Sequence, residues 1–123
     1  MQESKAKGLY FELQALGWLQ KAGLKRVEQN YTCRFGEIDL IMIDEKTLCF
    51  IEVKYRQSNA FGGAAYSIPY SKQQKITRSA LNFISRNKTY QQHALRFDAL
   101  FITPRNEQQN DFEWIKNAFC VDI

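Results

Sequence analysis

The chain has 123 residues, of which 45% are apolar and 14% aromatic, and it carries a formal net charge of +4. This length suits one modest core, so we predict a single domain over residues 1–123. No run approaches the roughly 18 apolar residues of a membrane-spanning helix, and the opening residues, MQESKAKG, lack the order of a secretory signal. We therefore expect a cytoplasmic protein without a membrane partner.

Cysteine and histidine usage excludes two common kinds of site. Cys33, Cys49 and Cys120 are odd in number and widely spaced, and no two form a C-x-x-C pair. This usage argues against a disulfide framework and a structural zinc site, and it predicts reduced thiols. The single histidine, His93, has no Cys or His nearby in sequence with which to share a metal.

The charges are unevenly distributed along the chain. The interval between Glu52 and Asp98 holds eight basic and no acidic residues, whereas the rest of the chain holds nine basic and 13 acidic residues. A segment this basic is typical of proteins that bind a polyanion. The alternative is a solvated basic helix face that binds nothing in particular.

Apolar periodicity predicts the first elements. Residues 5–22 are expected to form a helix that ends at Gly23. Its apolar residues recur with the helical period and form a stripe of Ala6, Leu9, Leu13 and Leu16. Residues 27–35 are predicted as a loop leading into an edge strand. Residues 37–43 and 48–55 follow as two strands that are apolar on successive positions, which indicates burial on both faces.

The remaining elements complete an α/β pattern. A second helix is predicted over residues 72–86, with Ser71 and Gln74 forming a capping box at its start. Its inner face is expected to consist of Ile76, Ala80, Phe83 and Ile84. Residues 95–102 are predicted as a strand, and residues 112–121 as a last strand or short helix. Helices flanking a mixed central sheet indicate an α/β single domain.

The connection between the two central strands determines which residues face each other. Residues 44–47 fit a four-residue type I turn, so we expect Ile43 to pair with Leu48. Asp39 then faces Glu52 on the same side of the sheet. A slip of one residue would send these two carboxylates to opposite faces, so this prediction depends on the register.

Facing carboxylates require a compensating positive charge. At a Cβ separation of about 5 Å, Asp39 and Glu52 would repel each other. A hard divalent cation such as Mg²⁺, which takes oxygen ligands, would compensate, with Lys54 beside it. Glu37 would face Lys54 and position it through a salt bridge. The alternatives are carboxylates at solvated strand ends, or an ordinary ion pair of Glu52 with Lys54 or Arg34.

The order of motifs resembles a known family. A helical Glu, GEIDLI, FIEVKYR, a glycine-containing loop, a Lys/Gln-rich helix and a late RFD follow one another between residues 8 and 119. This order resembles the YraN-like family of small bacterial proteins, which is assigned to the PD-(D/E)xK nuclease superfamily and is similar within it to archaeal Holliday-junction resolvases. Ile38 stands where the superfamily motif has proline. The resemblance implies a restriction-endonuclease-like core and a metal-dependent endonuclease that hydrolyses phosphodiester bonds in DNA, with branched or other non-duplex DNA as its suggested substrate.

The resemblance also implies roles for individual residues. Asp39 and Glu52 would ligate Mg²⁺ or Mn²⁺, and Lys54 would orient or deprotonate the attacking water. Glu12 matches the acid of the superfamily's first helix, which completes or supports the metal site; its position beside the apolar stripe is equally typical of a solvated boundary residue. The backbone carbonyl of Val53 is a further expected ligand.

Basic residues beyond this centre are expected to bind nucleic acid. Lys72 lies on the inward side of its helix and could approach the metal and phosphate region. Lys75 and Arg78 point further outward and suit contacts to the nucleic-acid backbone. Arg56 and the loop over residues 58–66 follow the catalytic strand, where they could contact substrate.

Other interpretations of the same sequence remain open. The chain could be a catalytically inactive module that binds nucleic acid, or an adaptor whose basic surface meets an acidic partner protein. A resolvase-like activity on paired strands would need two sites and implies a homodimer. Arg96 and Asp98 are expected to form a structural ion pair.

Overall fold

The apolar runs form a five-stranded mixed sheet with two helices, as predicted, in a computed structural model that describes residues 2–56 and 68–120, with side chains from residue 6 onward. The elements are α1 Gln2–Lys21, β1 Lys25–Cys33, β2 Gly36–Asp44, β3 Thr47–Tyr55, α2 Tyr70–Arg86, β4 Ala94–Pro104 and β5 Asn110–Ile115. Strand order follows chain order. β3 and β4 pair in parallel, with α2 between them in the chain, and the other neighbours are antiparallel. This single α/β domain is consistent with a restriction-endonuclease-like core.

Each helix covers its own side of the sheet. The core on the α2 side is built around Ile76, Ala80, Phe83, Ile41 and Phe50. The core on the α1 side is built around Phe11, Ala15, Leu19, Leu40 and Ile51. Because β2 and β3 contribute side chains to both cores, their continuous apolar runs are explained by burial on two faces. The predicted inner face of α2 is confirmed, with Ile84 packed at its edge.

The predicted apolar stripe of α1 is largely wrong: of its four residues, Leu16 alone packs against the core. Leu9 and Leu13 are 50% and 49% exposed, whereas Ala15 and Leu19 are fully buried. The helix has apolar residues on two sides. Aromatic contacts with the sheet bury the side that carries Phe11, Ala15 and Leu19. The Phe11 ring stacks on Tyr55 with 4.4 Å between centroids. Helical periodicity was therefore a sound basis for the helix but not for its buried face.

The register predicted for the β2–β3 hairpin is confirmed. Ile43 pairs with Leu48, and the ladder continues from there through the middle of both strands. The predicted four-residue turn over residues 44–47 is confirmed, because Asp44 pairs with Thr47 around a loop of two residues, but the turn is not of type I. Glu45 in that loop has a φ of 58°. Left-handed conformations suit two-residue hairpin loops because they match the twist of the strands.

Two smaller features also differ from expectation. α2 begins at Tyr70 with Pro69 as its N-cap and without a side-chain cap, so the predicted capping box of Ser71 and Gln74 does not form. The backbone N–H groups of Lys72 and Gln73 both donate to the Pro69 carbonyl instead, at 3.0 Å. At the other end of the chain, the last predicted element is a strand that begins at Asn110.

The predicted ion pair of Arg96 and Asp98 is confirmed and has a structural role. Asp98 is 1% exposed and accepts hydrogen bonds from Arg96 Nε at 2.8 Å, Trp114 Nε1 at 3.0 Å and the Asn117 N–H at 2.9 Å. Arg96 also reaches Asp44 at 2.9 Å. These contacts join β2, β4 and the segment around β5, and they satisfy a carboxylate that would otherwise be costly to bury.

None of the helices within residues 2–56 and 68–120 combines the length and apolar composition that crossing a bilayer requires.

Two leucine substitutions in α1 test which side of the helix supports the fold. Leu19→Ala removes a fully buried side chain and is expected to lower the free energy of unfolding by about 2–5 kcal/mol. Leu13→Ala is the matched control, because it makes the same change at a half-exposed position of the same helix. Its cost should stay under about 1 kcal/mol in urea unfolding. Equal losses at both positions would contradict this assignment of the buried face.

Candidate active site

The paired part of β2 and β3 ends at Leu40 and Ile51, and a cleft of about 380 Å³ lies beyond that point. α1 supplies one wall and the first turn of α2 contributes to the other. The cleft is lined by Lys7, Gly8, Phe11, Glu12, Asp39, Glu52, Val53, Tyr55 and Lys72. The structure therefore brings together five residues that the sequence predicts for one site: Glu12, Asp39, Glu52, Val53 and Lys72.

Asp39 lies where the alternation of β2 is broken. Ile38 packs with Ile41 in the core on the α2 side, whereas Leu40 packs on the α1 side. Strict alternation would put Ile38 and Leu40 on one face, so the strand is distorted around Asp39. The Asp39 Oδ2 atom accepts a hydrogen bond from the Val53 N–H at 2.8 Å. A side chain thus bonds to a backbone group of β3 at the place where the ladder has ended.

The Asp39 carboxyl holds its proton unusually tightly. Burial is the main cause, and a hydrogen bond to Glu52 together with the charge of Glu52 adds to it, which raises the pKa of Asp39 to about 9. The Val53 N–H opposes this shift because it stabilises the ionised form. Asp39 and Glu52 therefore share one proton at neutral pH, as close carboxylates in a poorly hydrated site do.

Glu52 is the ionised member of this pair. Its side chain is 6% exposed, and Lys72 Nζ lies 2.6 Å from Glu52 Oε2. Burial alone would raise the pKa of Glu52, but hydrogen bonds with Asp39 and Lys72 outweigh burial and hold it below its ordinary value. Oε2 is therefore a buried anionic oxygen whose compensating cation is the Lys72 ammonium.

Lys54 and Lys72 lie close together beside Glu52, and their pKa values move in opposite directions. Burial and the neighbouring Lys72 lower the pKa of Lys54. Burial also acts to lower the pKa of Lys72, but its hydrogen bonds to Glu52 and Lys54 raise it overall. Lys72 is therefore the cation that neutralises Glu52, while Lys54 is the amine that gives up its proton more readily.

Glu12 reaches the cleft for a reason other than the predicted one. It follows Phe11, which is held against β3, and this brings its carboxylate to the end of the sheet. One oxygen each of Glu12, Glu37 and Asp39 lie within 4.8 Å of one another. The predicted salt bridge of Glu37 with Lys54 is wrong: none of the ion pairs among the described residues joins them. The β2–β3 ladder ends before Glu37, so Glu37 does not face Lys54 and lies in the acidic cluster instead.

Asn30 is a site residue that the sequence did not indicate. It lies opposite Asp39 in the edge strand, between the paired residues Gln29 and Tyr31, and has a φ of 51°. Its side-chain amide acts to lower the pKa of Glu12. Burial nevertheless raises the pKa of Glu12 overall, helped by the charge of Glu37. An Asn tolerates the left-handed region, but nothing in the pattern of this strand marks it as a site residue.

The other predicted residues lie around the cleft. Val53 lines it, and the contact seen there is its N–H; the role of its carbonyl oxygen stays a prediction. The Arg56 guanidinium lies 5.7 Å from the centroid of the Phe101 ring. Lys75 and Arg78 are exposed on α2, as expected for outward positions. The predicted substrate loop over residues 58–66 lies outside the described residues.

A comparison with known protein families agrees with the motif order. The model of the family described as "Uncharacterised protein family UPF0102" matches residues 11–102, a span that includes Glu12, Asp39, Glu52 and Lys72. The chain belongs to the UPF0102 family. This membership confirms the YraN-like resemblance found in the sequence.

Curated UPF0102 relatives match almost the whole chain. The UPF0102 protein of Psychromonas ingrahamii is 48% identical over 120 residues, which cover 97% of this chain and 93% of the relative. The UPF0102 protein of Stutzerimonas stutzeri is 42% identical over 119 residues, which cover 97% and 98%. That of Pseudoalteromonas translucida is 44% identical over 119 residues, which cover 96% and 94%.

The acidic cluster of this UPF0102 chain fits a divalent cation. The cleft concentrates Glu12, Glu37, Asp39 and Glu52, and the chain compensates for them partly by protonating Asp39. Carboxylate oxygens are the ligands that Mg²⁺ and Mn²⁺ prefer. The buried Oε2 atom of Glu52 and the crowded oxygens around Asp39 are therefore suitable donors for such an ion.

The shared proton predicts how the stability of this UPF0102 chain depends on pH. Asp39 keeps its proton to about pH 9 when folded, whereas an ordinary Asp loses it near 3.8. Between these values the folded state binds more protons than the unfolded state, so the free energy of unfolding falls as pH rises. The slope from this residue is at most about 1.4 kcal/mol per pH unit. Urea unfolding in chelator from about pH 5 to 9 measures it.

Asp39→Asn is the control, because an amide has the shape of the protonated acid and does not titrate. Its stability should fall less over the same pH range, since only the titration of the other groups remains. Parallel curves for the wild type and the variant would contradict a shared proton at Asp39.

Proposed function

We propose that this UPF0102 protein is a metal-dependent nuclease that hydrolyses phosphodiester bonds in DNA. The observation that carries the proposal is the cleft in which Asp39 and Glu52 share a proton beside Lys54 and Lys72. Buried carboxylates whose pKa values are driven apart are typical of catalytic centres. The resemblance to the PD-(D/E)xK superfamily supports the same reaction.

The carboxylates would hold the metal. Asp39 and Glu52 are the proposed ligands, Glu12 supports them, and Glu37 is close enough to contribute. A bound Mg²⁺ or Mn²⁺ ion supplies Lewis acidity, which makes water easier to deprotonate and offsets the charge of a phosphate. Binding would require Asp39 to ionise, so its proton would be released on metal uptake.

The two lysines would act on water and phosphate. Lys54 has a lowered pKa, so its amine can accept a proton from the attacking water or orient that water. Lys72 neutralises Glu52 in the absence of substrate. Its exposed half allows the ammonium to turn towards a phosphate oxygen once another cation compensates Glu52.

The basic interval of the chain supplies a surface for the nucleic-acid backbone. Lys75 and Arg78 are exposed on the helix that carries Lys72 into the cleft, so a strand that enters the cleft would pass along α2. Such contacts bind phosphate without reading sequence. The resolvase-like resemblance favours branched or other non-duplex DNA and a homodimer that acts on paired strands.

Metal binding tests the chemical centre. Titration calorimetry with Mn²⁺ should show saturable binding for the wild type, and both Asp39→Asn and Glu52→Gln should lose most of it because each removes a proposed ligand. Repeating the wild-type titration in buffers of different ionisation enthalpy should show proton release near pH 7.

Glu107→Gln is the matched control for this titration, because it removes a carboxylate from an exposed turn and should bind Mn²⁺ like the wild type. The proposed metal centre fails if the wild type does not bind, or if the Asp39 and Glu52 variants bind as well as the control.

Nucleic-acid binding and cleavage test the substrate. Lys75→Gln and Arg78→Gln are each expected to weaken binding to a labelled four-way DNA junction and to reduce the slope of log affinity against log salt by about 1. Lys46→Gln, in the hairpin loop at the far end of β2 and β3, is the control. Lys54→Gln should keep junction binding and lose cleavage in Mn²⁺.

These measurements separate the proposal from its two rivals. Binding without metal-dependent loss of intact junction, duplex or single-stranded DNA would favour the inactive binding module. Absence of salt-dependent binding to any of these DNAs would favour an adaptor with an acidic protein partner.

A further inference from the structure

A second cavity, of about 420 Å³, lies between the end of the edge strand β1, the turn that follows it and the C-terminal half of α2. It is lined by Tyr31, Thr32, Cys33, Arg34, Asn82 and Arg86. None of these residues lines the first cleft. The proposed nuclease reaction makes no use of this cavity.

The second cavity is basic, whereas three carboxylates line the first cleft. Arg34 and Arg86 line the cavity, and no acidic residue of the described chain does. Neither guanidinium takes part in an ion pair with any residue that the structure describes. The Arg34 guanidinium lies 4.7 Å from the Phe35 ring centroid, a contact that leaves its N–H donors available. Two such groups at one concave site suit a phosphate, which a guanidinium can bind through paired N–H groups.

The polar wall of the cavity is held in a fixed shape. The Tyr31 hydroxyl donates a hydrogen bond to Asn82 Oδ1, which joins β1 to α2. The Tyr31 ring also packs edge-on against Phe83, with 5.2 Å between the ring centroids. Phe83 itself is buried in the core on the α2 side. This wall is therefore formed before a ligand enters, which lowers the entropy that binding would lose.

One face of α2 connects this cavity to the first cleft. Intervals of three and four residues place five side chains along that face: Lys72, Lys75, Ser79, Asn82 and Arg86. Lys72 pairs with Glu52 in the first cleft at one end, and Asn82 and Arg86 line the second cavity at the other end. The turn between β1 and β2 packs against the middle of this face, where Gly36 lies against Lys75 and Ser79.

The distance between the two sites is set by α2. Lys72 and Arg86 are 14 positions apart in this helix. At a rise of about 1.5 Å per residue, they are separated by about 21 Å along the helix axis. One strand of duplex DNA carries a phosphate about every 3.4 Å along its axis, so this distance corresponds to about six nucleotides. A DNA arm that leaves the cleft along α2 would therefore pass the second cavity.

We propose that the second cavity is a phosphate-binding subsite, in which Arg34 and Arg86 hold the backbone of a DNA arm that leaves the first cleft along α2. This inference rests on the proposed function for the identity of the ligand, but it does not require cleavage. The subsite binds phosphate and reads no base, so it contributes affinity and direction without sequence preference. It contains no carboxylate among the described residues and needs no metal ion.

Junction binding in chelator tests the subsite without cleavage. Arg34→Gln and Arg86→Gln are each expected to weaken binding of a labelled four-way DNA junction about fivefold and to reduce the slope of log affinity against log salt by about 1. Arg26→Gln is the matched control, because it makes the same change at an exposed position near the other end of β1. Its affinity should stay within about twofold of the wild type, since a distant charge is screened.

The two cavity arginines are exposed, so their replacement should leave the urea unfolding of the chain unchanged. This measurement separates a lost phosphate contact from a damaged fold.

Neutral linkages in the DNA locate the subsite. A series of junctions is made in which one phosphate at a time is replaced by an uncharged methylphosphonate. A short group of adjacent replacements should weaken wild-type binding about fivefold. The same replacements should leave the affinity of Arg86→Gln unchanged, because the partner of that phosphate is already absent.

Three outcomes would overturn the inference. The wild type could fail to bind the junction, the two arginine variants could bind it like Arg26→Gln, or every neutral linkage could weaken the wild type and Arg86→Gln equally. A junction that is bound through the two arginines but never cleaved would refute the nuclease proposal and support the subsite. Cleavage that proceeds while the arginine variants bind normally would refute the subsite alone.

Discussion

The constraint on which the rest of the site depends is the crowding of two carboxylates, the buried Glu52 and the half-buried Asp39, at one point of the sheet. Asp39 and Glu52 lie where β2 and β3 part, and neither could be buried there as an isolated charge. The chain compensates in three ways: the Val53 N–H bonds Asp39, a proton stays on Asp39, and Lys72 pairs with Glu52. Each of these contacts offsets part of the cost of placing the two carboxylates there.

The two cores hold this arrangement in place. The contact between the two carboxylates recovers little of the free energy that is lost when they leave water. The surrounding packing must therefore hold them in position. Phe11 stacked on Tyr55 fixes α1 beside the cleft, and Phe83 against Phe50 fixes α2 on the opposite side. Helices on both faces therefore do more than cover the sheet, because each also delivers one charged side chain, Glu12 or Lys72, to the opening between β2 and β3.

The predictable part of the molecule was the part set by local pattern. Continuous apolar runs identified β2 and β3, and the short connection between them restricted the register enough to place Asp39 near Glu52. The sequence did not predict that the β2–β3 ladder ends at Leu40 and Ile51. The ladder ends where the side chains of β2 stop alternating between the two faces of the sheet, opposite Asn30 of β1. Glu37 was misassigned for that reason. The buried face of α1 was missed because Leu9 and Phe11 lie on two sides that are both apolar, and only the sheet's aromatic partners choose between them.

The charge of the cleft bears on the choice between a nuclease and a binding module. Glu12, Glu37, Asp39 and Glu52 cluster at the cleft beside the first turn of the basic helix α2. Lys7, Lys54 and Lys72 are the lysines close to them among the described residues. A surface that only held phosphates would be weakened by such an acidic cluster, because each carboxylate near a phosphate costs binding energy. The cluster would become an advantage if these carboxylates held a divalent cation, because its charge would attract the phosphate. The proposed metal-dependent reaction would thus account for the acids and the basic surface together, whereas binding alone would account for the basic surface only.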